Sequence, residues 1–110
     1  MKLPNYEKAF VDDLKLIAYC LDPEHKVGKH KARVFQSVLN INLDNFNILK
    51  QAILEAALTQ EAVFTNKIAY GELYNMDFAL TNLGLTATVR TAWIIKNEED
   101  FPRLTTCFII

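Results

Sequence analysis

Glycine and proline are scarce in this chain, three of each in 110 residues. That scarcity excludes a phosphate-binding glycine loop, a dinucleotide fingerprint and a nucleophile elbow, all of which need closely spaced glycines. A hydrolase working through a covalent serine or cysteine intermediate is therefore not expected. The two cysteines, Cys20 and Cys107, lie far apart in sequence. With only two histidines beside them they offer no zinc spacing. Each cysteine sits among apolar neighbours, which reads as a buried free thiol in a reducing compartment. Long apolar runs are missing too, so no segment spans a bilayer. The opening Met1-Lys2-Leu3-Pro4-Asn5-Tyr6 lacks the apolar core of a signal peptide. The expectation is a cytoplasmic protein, or a toxin module delivered by other machinery, without membrane contact. A net charge of −1 provides no global field to recruit nucleic acid, so such binding requires a local basic patch.

What is present is a chain of one-domain length with 51% apolar and 23% charged residues, the balance of a folded globule. Met1 to Phe10 reads as an irregular lead-in, since Pro4 cannot lie inside a helix. Asp12 or Asp13 can cap a helix carrying Leu14, Ile17, Ala18 and Leu21 at helical spacing, ended by Asp22-Pro23. Gly28 then reads as a flexible hinge before a second helix from about Lys29, with Val34, Phe35, Val38 and Leu39 as its apolar stripe. Asp44 or Asn45 can cap a third helix to about Thr59, with Phe46, Leu49, Ile53 and Ala57 inward. After Thr59 the period changes toward two. Residues 62–67, 70–80, 86–96 and 104–110 read as strands separated by short turns. Helices first and strands after give an α+β fold, N-terminal helices packed on an antiparallel meander of three or four strands.

The densest chemistry lies between His25 and Arg33. Both histidines and four of the twelve basic residues (Lys26, Lys29, Lys31 and Arg33) fall in these nine positions. On a helix His30, Arg33 and Ser37 share one polar face, with Lys29 beside Arg33. Cations hold and neutralise a phosphate, and an imidazole takes or gives a proton near working pH, so the cluster suits phosphodiester chemistry. Equally, it reads as the solvated start of a helix. His25 precedes Gly28 in a loop, as a second proton-transfer group or as a cap of the preceding turn.

Further along, Arg90-Thr91-Ala92-Trp93 places Thr91 and Trp93 on one strand face and Arg90 on the other. Thr91 could hydrogen-bond a phosphate and Trp93 could stack on a base; the alternative is a core tryptophan beside a strand threonine. Arg103 and Thr105 share a strand face and could extend a phosphate site. Asp77 could orient Arg90, or simply face water. Glu98-Glu99-Asp100 could ligate a metal, but without a nearby histidine it reads as a solvated loop. No metal site and no cofactor is expected.

Four stretches together resemble a family of small bacterial proteins known only as a domain of unknown function. They are Met1-Lys2-Leu3-Pro4-Asn5, Tyr19 to His25, Gly28-Lys29-His30-Lys31-Ala32-Arg33-Val34-Phe35, and Glu99-Asp100-Phe101-Pro102-Arg103-Leu104-Thr105-Thr106-Cys107. More distantly, Lys29-His30-Lys31 on a helix followed by Thr91 two before Trp93 is similar to the nuclease domain of colicin D. That toxin belongs to the barnase–EndoU–colicin–RelE group of small metal-independent RNases, in which N-terminal helices pack on an antiparallel sheet whose open face holds the site. Here threonine stands in place of serine, and the chain is not basic overall. The resemblance implies a toxin-type endoribonuclease acting on RNA, with tRNA a candidate substrate, and leaving a 2′,3′-cyclic phosphate. His30 would move the proton, with Lys29, Lys31, Arg33 and Thr91 around the phosphate. His25, Lys26, Arg90, Trp93, Arg103 and Thr105 would contact RNA, and a small acidic inhibitor protein would cover the basic patch. The rival expectation is a non-catalytic interaction module, or an RNA binder, using residues 25–33.

Overall fold

The change of hydrophobic period after Thr59 marks a true boundary. The computed structural model describes residues 1–110. Three helical segments come first: α1 (Asp13–Lys15, continuing as a wider π turn over Leu16–Cys20), α2 (Lys29–Leu39) and α3 (Phe46–Thr59). Four strands follow, β1 (Val63–Ile68), β2 (Gly71–Asn82), β3 (Leu85–Lys96) and β4 (Arg103–Ile109). They pair antiparallel in the order β1-β2-β3-β4. The expected α+β meander is the fold, with four strands.

Local chemistry explains most element ends, and two expectations need correcting. Asp12 does cap α1, accepting from the Leu14 amide at 3.0 Å. Its buried face, however, is Leu16, Cys20 and Leu21, while Leu14 and Ile17 face solvent. The Leu21 amide donates to the Leu16 carbonyl, five residues back, so the turn is wider than an α turn and the 3.6-residue stripe fails there. The chain enters α3 through a 3₁₀ turn, Leu43–Asn45, capped by Asn42 in a reciprocal box with Asn45. Asn45, one of the two residues expected, does hold the N-cap position of α3, but its side chain accepts from the Asn42 amide and bonds no amide of α3. Gly28 is no hinge. It is buried at the start of α2, and a Cβ there would stand 2.1 Å from the Tyr19 carbonyl oxygen. Glycine is required by that close approach. Gly84 serves its other use: Leu83 and Gly84 both have positive φ in the two-residue turn joining β2 to β3.

Alternation along β3 divides the sheet. Val89, Thr91 and Trp93 point toward the helices and are fully buried, in one core with Phe35, Leu39, Leu49, Ile53 and Met76. Arg90 and Ala92 point the other way. Cross-strand register then aligns Asp77, Arg90 and Phe108 in one row of the uncovered face, and Asn75, Ala92 and Thr106 in the next. Strand β4 is an edge, partly covered: Phe10 bridges to it at Arg103, and the Cys107 amide donates to the Cys20 sulfur at 3.4 Å. No helix is long and apolar enough to cross a membrane.

One buried polar chain runs through this core. The Trp93 indole N–H donates to the Thr91 hydroxyl at 2.7 Å, and that hydroxyl donates to the Met76 carbonyl at 2.7 Å. Thr91→Val keeps the shape but strands the indole N–H. An unpaired buried donor costs about 1–3 kcal/mol. Urea unfolding of the variant should show its stability reduced by that amount, seen as a lower midpoint at an unchanged slope.

Candidate functional site

Helix α2 begins without a side-chain cap on its free amides, and its first three residues are Lys29, His30 and Lys31. Cations at a helix N-terminus oppose the macrodipole, at about 0.3–1 kcal/mol each on the surface. The first turn therefore concentrates positive potential against the helix's own preference. No carboxylate relieves it: the ion pairs of the molecule are Met1–Glu61, Lys8–Asp100, Lys50–Asp13, Arg90–Asp77 and Arg103–Glu99, and none involves residues 25–33.

The side chains of α2 diverge. Lys31, half-buried, turns toward the sheet. Its ammonium donates to the Tyr19 hydroxyl at 2.8 Å and to the Thr106 hydroxyl at 3.2 Å, and lies over the rings of Tyr19 and Phe108 at 4.8 and 5.5 Å. It thus stands where β4 meets the uncovered face of the sheet. His30 is exposed and lines a groove of about 220 Å³ with Lys31, Val34, Phe108 and Ile109. Lys29 and Arg33 continue the outer surface of α2. Val34 and Val38, expected in its buried stripe, are partly exposed, because the helix packs through Ala32, Phe35 and Leu39.

His25 has a structural task. Its Nδ1 accepts from the amides of Val27 and Gly28, both at 3.0 Å, and its ring meets the Tyr19 ring edge-on at 4.9 Å. Of the two roles left open for it, capping the turn is the one its geometry performs, although the turn is the one leading into α2. Lys26 is exposed on that turn.

Behind Lys31 lie the two thiols, both free and fully buried. The Cys20 sulfur lies 3.8 Å from the Thr106 hydroxyl. The Cys107 thiol directed at Cys20 lowers the latter's pKa to about 7. Burial opposes this, while the Cys107 amide, Thr106 and Lys31 assist. Cys107, holding the proton beside that sulfur and buried, is pushed up. Sequence reasoning missed Tyr19, Thr106 and Cys20 as members of the site; they converge through the tertiary fold, and only the basic charge of Lys31 signalled it.

A family profile matches residues 2–110. The chain belongs to the DUF6883 family, a domain of unknown function. No curated protein and no solved structure matches it. The likeness to the colicin D nuclease thus gains nothing from relatives.

The opposite wall expected for the site is absent from this DUF6883 domain. Thr91 and Trp93 are sealed beneath the helices and bonded to each other, so neither can touch a phosphate or a base. Arg90 does face outward, but its guanidinium is held by both oxygens of Asp77 at 2.9 Å. Arg103 is likewise committed, to Glu99 at 2.7 Å through two bonds and between the rings of Phe10 and Phe101. Glu99 is thereby a partner of Arg103 and not part of a solvated acidic loop. The Thr105 hydroxyl donates to the Ala92 carbonyl across a bulge. No three His, Cys, Asp or Glu side chains converge to hold a metal ion.

The bidentate bond from Arg90 holds the Asp77 carboxyl below its ordinary range, against partial burial. A depressed carboxylate pKa contributes stability that is complete above the unfolded value of about 3.9 and is lost as pH falls toward the folded value. Asp77→Asn should be less stable than wild type at pH 7. Its stability should also fall less steeply than that of wild type between about pH 4 and 2, where only the wild type loses the pair. Urea titrations at pH 7, 5 and 3 measure both.

Proposed function

We propose that this domain is a metal-independent endoribonuclease of toxin type, with tRNA the first substrate to test. The observation that carries the reading is Lys31: an ammonium without a carboxylate, held by two hydroxyls at the rim of an open sheet face, sharing one groove with the exposed His30. A partly buried cation left without an acidic partner is costly unless an anion visits it.

In the reaction, His30 takes the proton of a ribose 2′-hydroxyl, whose oxygen attacks the adjacent phosphorus. Lys31 neutralises the extra negative charge on the phosphorane, with Thr106 beside it. Tyr19 already accepts a hydrogen bond from Lys31, so its own O–H is free to protonate the departing 5′-oxygen, and solvent restores that proton. The P–O5′ bond breaks as the O2′–P bond forms, leaving a 2′,3′-cyclic phosphate and a 5′-hydroxyl. Lys29, on the outer face of α2, contacts a neighbouring phosphate. Cytoplasmic action of such an enzyme implies a small acidic inhibitor protein that covers this face.

A second reading, a non-catalytic interaction module, draws on β1. This edge strand is exposed along most of its length, including Val63 and Phe64, and could accept a strand from another chain.

Total tRNA incubated with the domain in EDTA tests the first reading. Wild type should cut it and leave cyclic phosphate ends. His30→Ala and Lys31→Met should each slow the cut by about 10²–10³-fold, the usual scale for a lost proton-transfer group or transition-state cation. Intact RNA with wild type, or variants cutting at the wild-type rate, would sink it.

A further inference from the structure

On the other flank of α2 from Lys31 lies a second and larger cavity, about 500 Å³. Leu21, Pro23 and Leu43 give it apolar walls, and two opposite charges line it from different elements, Arg33 from α2 and Asp44 from the turn that starts α3. The two charges do not form an ion pair with each other or with any other residue. Gln36 and Asn42 line the same cavity: Gln36 accepts from the Asn42 side chain at 2.8 Å, and Asn42 in turn accepts from the Asp44 amide at 2.8 Å. This network fixes the turn against the helix while leaving the Asp44 carboxylate out of it.

An apolar-walled cavity that also carries an unpaired carboxylate acceptor and an unpaired guanidinium donor matches a planar ring that presents two donors on one edge and acceptors on another. Among nucleobases guanine does this. Its N1–H and N2–H₂ suit a carboxylate, and its O6 and N7 suit an arginine. The volume admits a purine. Arg33 lies three residues beyond His30 on the same helix, so this cavity and the proposed cleavage groove flank α2 on either side of that pair.

We propose that this cavity is a guanine subsite, in which Asp44 reads the Watson–Crick edge, Arg33 the O6/N7 edge, and Leu21, Pro23 and Leu43 receive the ring. The inference names a substrate preference for the ribonuclease reading above and rests on it for its meaning, though not for its test. In titration calorimetry, 5′-GMP should bind the whole domain at least tenfold more tightly than 5′-AMP, 5′-CMP or 5′-UMP, which share its phosphate and ribose. Asp44→Asn should remove that preference while leaving the common, phosphate-dependent binding. Circular dichroism and urea unfolding of Asp44→Asn check that the fold is retained, and Arg33→Gln, which should also lose the preference, provides an independent variant. Equal binding of the four nucleotides, no binding at millimolar concentration, or an unaltered preference in both variants overturns the subsite. Selective GMP binding by a protein that leaves RNA intact would uphold the subsite and overturn the nuclease. RNA cleavage without GMP selectivity would do the reverse.

Discussion

The hydrogen-bonded chain from Trp93 through Thr91 to the Met76 carbonyl fixes which way the sheet faces. A strand sends alternate side chains to opposite faces, so one buried tryptophan assigns every other residue of β3. With Thr91 and Trp93 under the helices, Arg90 and Ala92 must face outward. Register carries that assignment across to Asp77 on β2 and to Thr106 and Phe108 on β4. The uncovered face, and thereby the position of the Thr106 hydroxyl that receives Lys31, follows from where the indole lies.

Lys31 is the electrostatic counterpart of that packing. Two hydroxyls and two aromatic rings partly replace the water its ammonium gives up, and a cation over a ring gains about 0.5–2 kcal/mol depending on desolvation. None of these groups carries a full negative charge. Cys20, with its pKa brought to about 7, is the nearby group that can acquire one. The Cys107 thiol is the main group favouring its anion, with the Cys107 amide, Thr106 and Lys31 assisting against burial. Arg90 and Arg103 illustrate the contrast. Each is gripped by a carboxylate through two bonds, and each belongs to the architecture of the sheet.

Periodicity made much of the fold legible. Leu49, Ile53 and Ala57 announce α3, the shift to alternation announces a meander of three or four strands, and His30, Arg33 and Ser37 do share the exposed side of α2. Where the backbone leaves the regular period, the reading fails. The π turn of α1 buries Leu16 and exposes Leu14. Alternation separates Arg90 from Thr91 and Trp93, but cannot tell which face the helices cover, and the short motif match favoured the wrong one. Tyr19 and Thr106 stand 87 positions apart in sequence; nothing local marks either as a partner of Lys31. Arg103 and Glu99 stand only four residues apart, but the turn that folds one back onto the other has no helical or strand period to mark the pairing.

Gly28 ties the basic segment to the rest. Because it carries no Cβ, the backbone at the start of α2 can lie against the Tyr19 carbonyl, where any side chain would collide. His25 reinforces the contact from the other side, closing the turn with its Nδ1 and resting its ring against Tyr19. The π turn presents Tyr19 at that point, and the helix starting at Lys29 then delivers Lys31 onto the Tyr19 hydroxyl. The two histidines therefore divide the work by position alone. His25 lies before the glycine and has its Nδ1 occupied by backbone amides. His30, two residues beyond it, carries an imidazole that the fold leaves exposed beside an unpaired cation.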